Sequence, residues 1–97
     1  MKEEIFERES LLIISDKGKN LVSAELSEDH FWLLTEISPI HSKKVIYALK
    51  DFLVLGFNRR EVCERYNVSY SYFSISLRRF SYVNRVAFSL ASYYLES

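Results

Sequence analysis

Residues 59 to 79 read RREVCERYNVSYSYFSISLRR, and the fold is decided there. Arg59 to Tyr66 is long enough for two helical turns and opens behind Asn58, a residue suited to an N-cap. Its inward positions are Val62, Cys63 and Tyr66. Three residues follow, Asn67-Val68-Ser69, and Ser69 caps a second helix whose buried side carries Phe73, Leu77 and Phe80 at i, i+4 and i+7. This spacing predicts a helix-turn-helix over residues 58 to 80. The small Cys63 lets the two helices approach closely, and Val68 plugs the turn. Asn67 takes the left-handed position usually filled by glycine, because asparagine tolerates a positive φ. Val62, Cys63, Val68, Phe73 and Leu77 are therefore the expected core of the motif. Ser76 departs from the pattern, since an aliphatic residue usually stands three after the Phe73 position. Leu77 is expected to take over that packing, with the second helix rotated or docked less firmly.

Working outward, the neighbouring segments also read as helices. Ser27 is a candidate N-cap, with Glu28 and Asp29 in a first turn where carboxylates suit the helix dipole. Phe31 and Leu34 form the apolar stripe, and Ser38-Pro39 stops it. Ser42 caps the next helix, whose face of Val45, Ile46, Leu49, Phe52 and Leu53 continues until Gly56. After the motif, Ser81 or Tyr82 is expected to break the chain. A last helical spacing then runs through Val83, Val86, Ala87, Leu90, Ala91 and Tyr94. Residues 1 to 26 form an N-terminal arm, strand or helix, ahead of a helical domain over 27 to 97. The class is all-α, a small single domain of five or six helices.

Composition limits what such a domain does. The chain has 97 residues, 13 basic and 13 acidic, for a formal charge of zero. The zero hides a division. Residues 1 to 42 hold four basic and nine acidic side chains, whereas 43 to 85 hold nine basic and three acidic ones. A block of +6 that includes the whole motif attracts a polyanion even when the total vanishes. The acidic portion is expected to limit nonspecific binding or to dock on a neighbour's basic side.

Absences narrow the function further. A single cysteine, Cys63, forms no disulfide within the chain, and neither His30 nor His41 has a metal-ligand spacing around it. No phosphate loop, Ser/His/Asp arrangement or carboxylate pair is present, so neither an enzyme nor a cofactor or small-molecule substrate is expected. The longest aliphatic run, Leu11 to Ile14, is far below the ~20 residues of a membrane span. A soluble cytoplasmic protein is the expectation.

The second helix of the motif would expose Tyr70, Ser71, Ser74 and Arg78, with Ser69 and Tyr72 at its N-terminal edge and Arg79 beside Arg78. Hydroxyls and arginines suit phosphates and base edges. Arg59 and Arg60 begin the preceding helix, where the dipole disfavours cations and a phosphate would relieve them. Double-stranded DNA is the partner this reading favours. The rival is an oligomeric protein–protein adaptor of similar shape. The two separate on salt, because phosphate contacts release counterions.

Residues 27 to 94 resemble the PapB-type regulators of fimbrial and adhesin operons. The likeness is carried by HFWLL, IHSKKVI, ALKDFLV, RREVCERY, YFSISLRR and the pair Tyr93-Tyr94. The resemblance implies an all-helical bacterial transcription regulator, nucleoid-associated when bound. It implies A/T-rich DNA read with a minor-groove component, by oligomers, dimers or larger, that spread over repeated sites. It ranks Arg59 first among DNA contacts; by its position at a helix start, Arg59 is expected to be a surface arginine that packs little. It also assigns Leu33, Leu34, Leu53, Val54 and Leu55 to self-association.

Overall fold

Short polar side chains start every helix in the computed structural model, which describes residues 20–95. Four helices fill this span: α1 (Glu28–Ile37), α2 (Lys43–Leu53), α3 (Arg59–Tyr66) and α4 (Tyr70–Leu95). Ser27 accepts from the His30 N–H and Ser42 from the Val45 N–H. Ser69 Oγ accepts from the Tyr72 N–H at 3.1 Å. Asn58 makes a full capping box: its Oδ1 accepts from the Glu61 N–H at 2.8 Å, and Glu61 Oε1 accepts from the Asn58 N–H at 3.2 Å. Each cap satisfies an amide that the first turn leaves unpaired.

The apolar faces of all four helices close on one core. Phe31 of α1 lies 5.1 Å from Phe80 of α4, and Phe52 of α2 meets Phe73 of α4 edge-on at 5.5 Å, measured between ring centroids. Phe31, Phe73 and Phe80 are fully buried, each worth about 1.5–3 kcal/mol against exposure. Val62, Cys63, Val68, Phe73 and Leu77 are all buried. Ser76 is buried as well, beside Leu77, so α4 packs its first turns into the core despite the missing aliphatic side chain. The small residue admits close approach where a larger one would need room.

The structure revises several expectations. The helix count among the described residues is four, because the break foreseen at Ser81 or Tyr82 is absent and α4 runs unbroken for 26 residues. Ser81 is buried, and its hydroxyl donates to the Leu77 carbonyl at 2.7 Å while accepting from the Leu21 N–H at 2.9 Å. A serine satisfied this way, one turn back, leaves the helical ladder intact. Helix α2 stops at Leu53, ahead of Gly56, which takes φ +86° in the turn.

The boundary drawn between residues 26 and 27 also shifts. Leu21 and Leu26 are in the core, and the Ala24 and Leu26 amides donate to the Phe52 and Leu53 carbonyls, both at 3.0 Å. These two bonds satisfy the open C-terminal end of α2. Residues 21 to 26 thus belong to the helical body. The Leu11–Ile14 run lies outside the described residues. No described helix is long and apolar enough to cross a membrane.

Candidate nucleic-acid interface

Helices α3 and α4 form the motif around Asn67, which adopts φ 55°, ψ 51°, the left-handed conformation that ends α3. The Val68 N–H donates to the Cys63 carbonyl at 2.9 Å, turning the chain back so that buried Val68 fills the corner. Helix α4 then presents one continuous outer stripe. Ser71, Ile75, Arg78 and Tyr82 recur at i, i+4, i+7 and i+11, all exposed. Tyr72 and Arg79 flank the stripe on one side, and Tyr70 and Ser74 flank it on the other. From residue 65 to residue 95 the sequence holds four arginines and no carboxylate side chain.

Ile75 and Tyr82 were not among the sequence candidates. Their signal was available in the spacing, because they complete the face opposite Phe73, Leu77 and Phe80.

The basic half divides into engaged and exposed cations. Arg65 donates from Nη1 to Asp51 Oδ2 at 2.8 Å, and its guanidinium lies 4.5 Å from the Phe57 ring centroid. Lys50 pairs with Glu28 at 3.7 Å. Lys43, Lys44, Arg60, Arg78 and Arg79 are exposed. Arg60 is accompanied by Glu64 at 3.4 Å, an i,i+4 pair on an open surface that leaves most of the arginine in solvent.

Arg59 differs from the surface arginine expected at this position. It is half-buried, and its Nη1 donates to Ser74 Oγ at 3.1 Å. Its guanidinium carbon lies 5.7 Å from the Phe73 ring centroid, 5.9 Å from Tyr70 and 6.0 Å from Phe52. Ser74, expected to face outward alone, is thereby committed to a partner within the motif. Burial pushes the Cys63 thiol above its ordinary value, and the nearby Arg59 charge opposes that with a smaller effect. Such a thiol is a core residue rather than a nucleophile.

The residues assigned to self-association separate into two groups. Leu34 and Leu53 are buried in the core, so neither offers a side chain to a second chain; this corrects the assignment for both. Leu33 and Leu55 are exposed and Val54 is half-buried. An apolar groove of about 370 Å³ opens elsewhere, between Ile37 at the end of α1 and Val83, Val86, Leu90 and Tyr94 on the second half of α4.

Comparison with known proteins places this geometry. Residues 2–94 match the family described as adhesin biosynthesis transcription regulatory protein. That match begins well ahead of Ser27, where the resemblance in the sequence started. The chain is 48% identical over 88 residues to the AFA-III adhesin operon regulatory protein of Escherichia coli, covering 90% of this chain and 87% of that one. It is 51% identical over 73 residues to the F1845 adhesin operon regulatory protein of Escherichia coli, covering 75% and 86%. Among solved structures, E. coli FocB superposes with a TM-score of 0.79 at 41% identity, over 88% of this chain and 97% of that one.

Proposed function

The chain belongs to the adhesin biosynthesis transcription regulatory protein family, and on that premise we propose that it regulates a fimbrial or adhesin operon by binding duplex DNA along the outer stripe of α4. The family is regulatory, not enzymatic. The observation that carries the reading is the stripe itself: Ser71, Ile75, Arg78 and Tyr82, flanked by Tyr72 and Arg79, in a stretch free of carboxylates. Arginines and hydroxyls meet phosphates and base edges, and no acidic side chain on α4 opposes them. Arg60, in the first turn of α3, and Ser69, the cap of α4, extend the contact surface toward the backbone. A/T-rich DNA is the favoured target, because a narrow A-tract minor groove draws arginine side chains by its negative potential.

Self-association is the second part of the proposal, and its seam is the second half of α4. Residues 83 to 95 carry one charged side chain, Arg85, while Phe88, Tyr93, Tyr94 and Leu95 are each at least 70% exposed. A helix that is apolar on most sides is normally covered. A second copy supplies the same surface in return, as a two-fold contact requires.

The experiment is a titration of A/T-rich and G/C-rich duplexes across a range of salt, with a minor-groove ligand as competitor. Binding that weakens steeply with salt, prefers A/T and yields to the competitor supports the reading. The groove on α4 favours the rival, a protein–protein adaptor without DNA contact. Salt-independent or absent binding to every duplex would select it.

A further inference from the structure

We infer that Arg59 is a positioning residue, a clamp that sets the orientation of the first turns of α4 rather than a contact to DNA; the inference rests on the DNA-binding reading above.

Two adjacent arginines stand in opposite circumstances. The Arg60 side chain is 82% exposed and free to swing toward a phosphate. Arg59, one residue earlier, sits where three helices meet: Phe52 belongs to α2, Arg59 to α3, and Tyr70, Phe73 and Ser74 to α4. Its distances to the three rings lie near the ~6 Å limit at which a cation is attracted to a ring face. No single ring therefore fixes the group. The 3.1 Å bond to Ser74 Oγ does, because a planar guanidinium donates only along fixed directions.

The position is otherwise a poor one for a cation. Arg59 is the first residue of α3, where the helix dipole repels positive charge. Ring faces and a hydroxyl acceptor offset that repulsion locally. A DNA phosphate would have to reach the remaining N–H groups of a half-buried guanidinium that Ser74 already holds in one orientation. Ser74 lies one turn beyond Tyr70, so the bond ties the start of α3 to the two turns of α4 from which Ser71 and Ile75 project. The angle of the reading stripe is thus held from the α3 side.

Three variants of the full chain test the clamp: Arg59→Lys, Arg59→Ala and Ser74→Ala. Lysine keeps the charge and loses the planar fork. In the free protein, hydrogen exchange at amides 73 to 77 is expected to speed up in both Arg59 variants, and less in Ser74→Ala, while amides 45 to 53 keep their protection. On A/T-rich duplex, Arg59→Lys is expected to bind about as weakly as Arg59→Ala, roughly tenfold below the parent, with an unchanged salt slope because no phosphate contact is removed. A lysine variant that binds like the parent, an alanine variant whose slope falls by about 0.9, the loss of one phosphate contact, or unchanged exchange at 73 to 77 would each overturn the inference. If Arg59→Ala does not fold, Arg59→Lys and Ser74→Ala carry the same comparison. Failure of the parent to bind any duplex defeats the DNA reading instead, and the exchange measurement, made without DNA, still decides whether Arg59 holds α4.

Discussion

Arg65 Nη1 donates to Asp51 Oδ2 at 2.8 Å and so fastens the last turn of α3 to the last turn of α2. The Tyr66 hydroxyl donates to the same oxygen at 2.8 Å. Asp51 is buried, whereas the Arg65 side chain is 43% exposed. The carboxylate is therefore the costly member of the group to disturb. Asp51→Ala strands the Tyr66 hydroxyl and frees Arg65 into solvent, with an expected loss of about 2–3 kcal/mol. Urea unfolding of the two proteins measures it, and Arg65→Lys should cost less.

Alkaline pH acts on the same cluster. The hydrogen bond to Asp51, followed by burial, pushes the Tyr66 hydroxyl above its ordinary value. The folded chain thus holds this proton longer than the unfolded chain, in which tyrosine titrates near pH 10. The contribution is complete below about pH 10 and fades as pH rises through the folded value. Thermal melts of the parent against Tyr66→Phe should show the parent losing more of its advantage above that pH.

Asn67 tests the turn. At φ 55° a β-branched side chain is strained, so Asn67→Val should destabilise by about 1–2 kcal/mol. Asn67→Gly relieves the backbone and should change stability by only a few tenths of a kcal/mol. Chemical denaturation of both variants separates turn geometry from any loss of side-chain contact.

Cys63 should resist modification. Its thiol is buried and pushed upward, so alkylation at neutral pH is expected only after unfolding. Mass spectrometry of native and urea-treated protein after a timed exposure to iodoacetamide reads this directly.

The seam on α4 makes a prediction of its own. Leu90→Glu places a charge in the groove beside Val86 and Tyr94 without touching the core phenylalanines. Sedimentation should show weaker self-association, with the thermal transition of the separated chain retained. Leu34→Glu, by contrast, should unfold the protein, since Leu34 lies in the core.

Much of the fold was readable because its signals are local. Ser27, Ser42, Asn58, Ser69 and Asn67 act within three or four residues of themselves, and each does what its chemistry and spacing require. Ser81 misled because its burial depends on packing that spacing does not show; its hydroxyl donates one turn back to the Leu77 carbonyl and accepts from the Leu21 N–H, 60 positions away. Leu53 already fell on the apolar face of α2 by spacing, and there the helical period was a better guide than the family likeness. The surroundings of Arg59 were not legible. Phe52 and Ser74 flank it at sequence distances of 7 and 15, and only the packing of three helices brings them together.

An unbroken α4 has one more consequence. At 1.5 Å per residue its 26 residues measure about 39 Å, slightly more than the ~34 Å of one turn of DNA. Under the proposed function, the turns that would read DNA and the turns that would join copies are opposite ends of a single ruler. Copies joined at their far ends would hold their reading ends at a separation written into the helix, so the phasing of operator sites would be a property of α4's length. Four residues inserted after Ala87 would lengthen the ruler by about 6 Å and turn its far end by about 40°. Such a protein would still fold, and under the proposed function it would ask for a differently spaced operator.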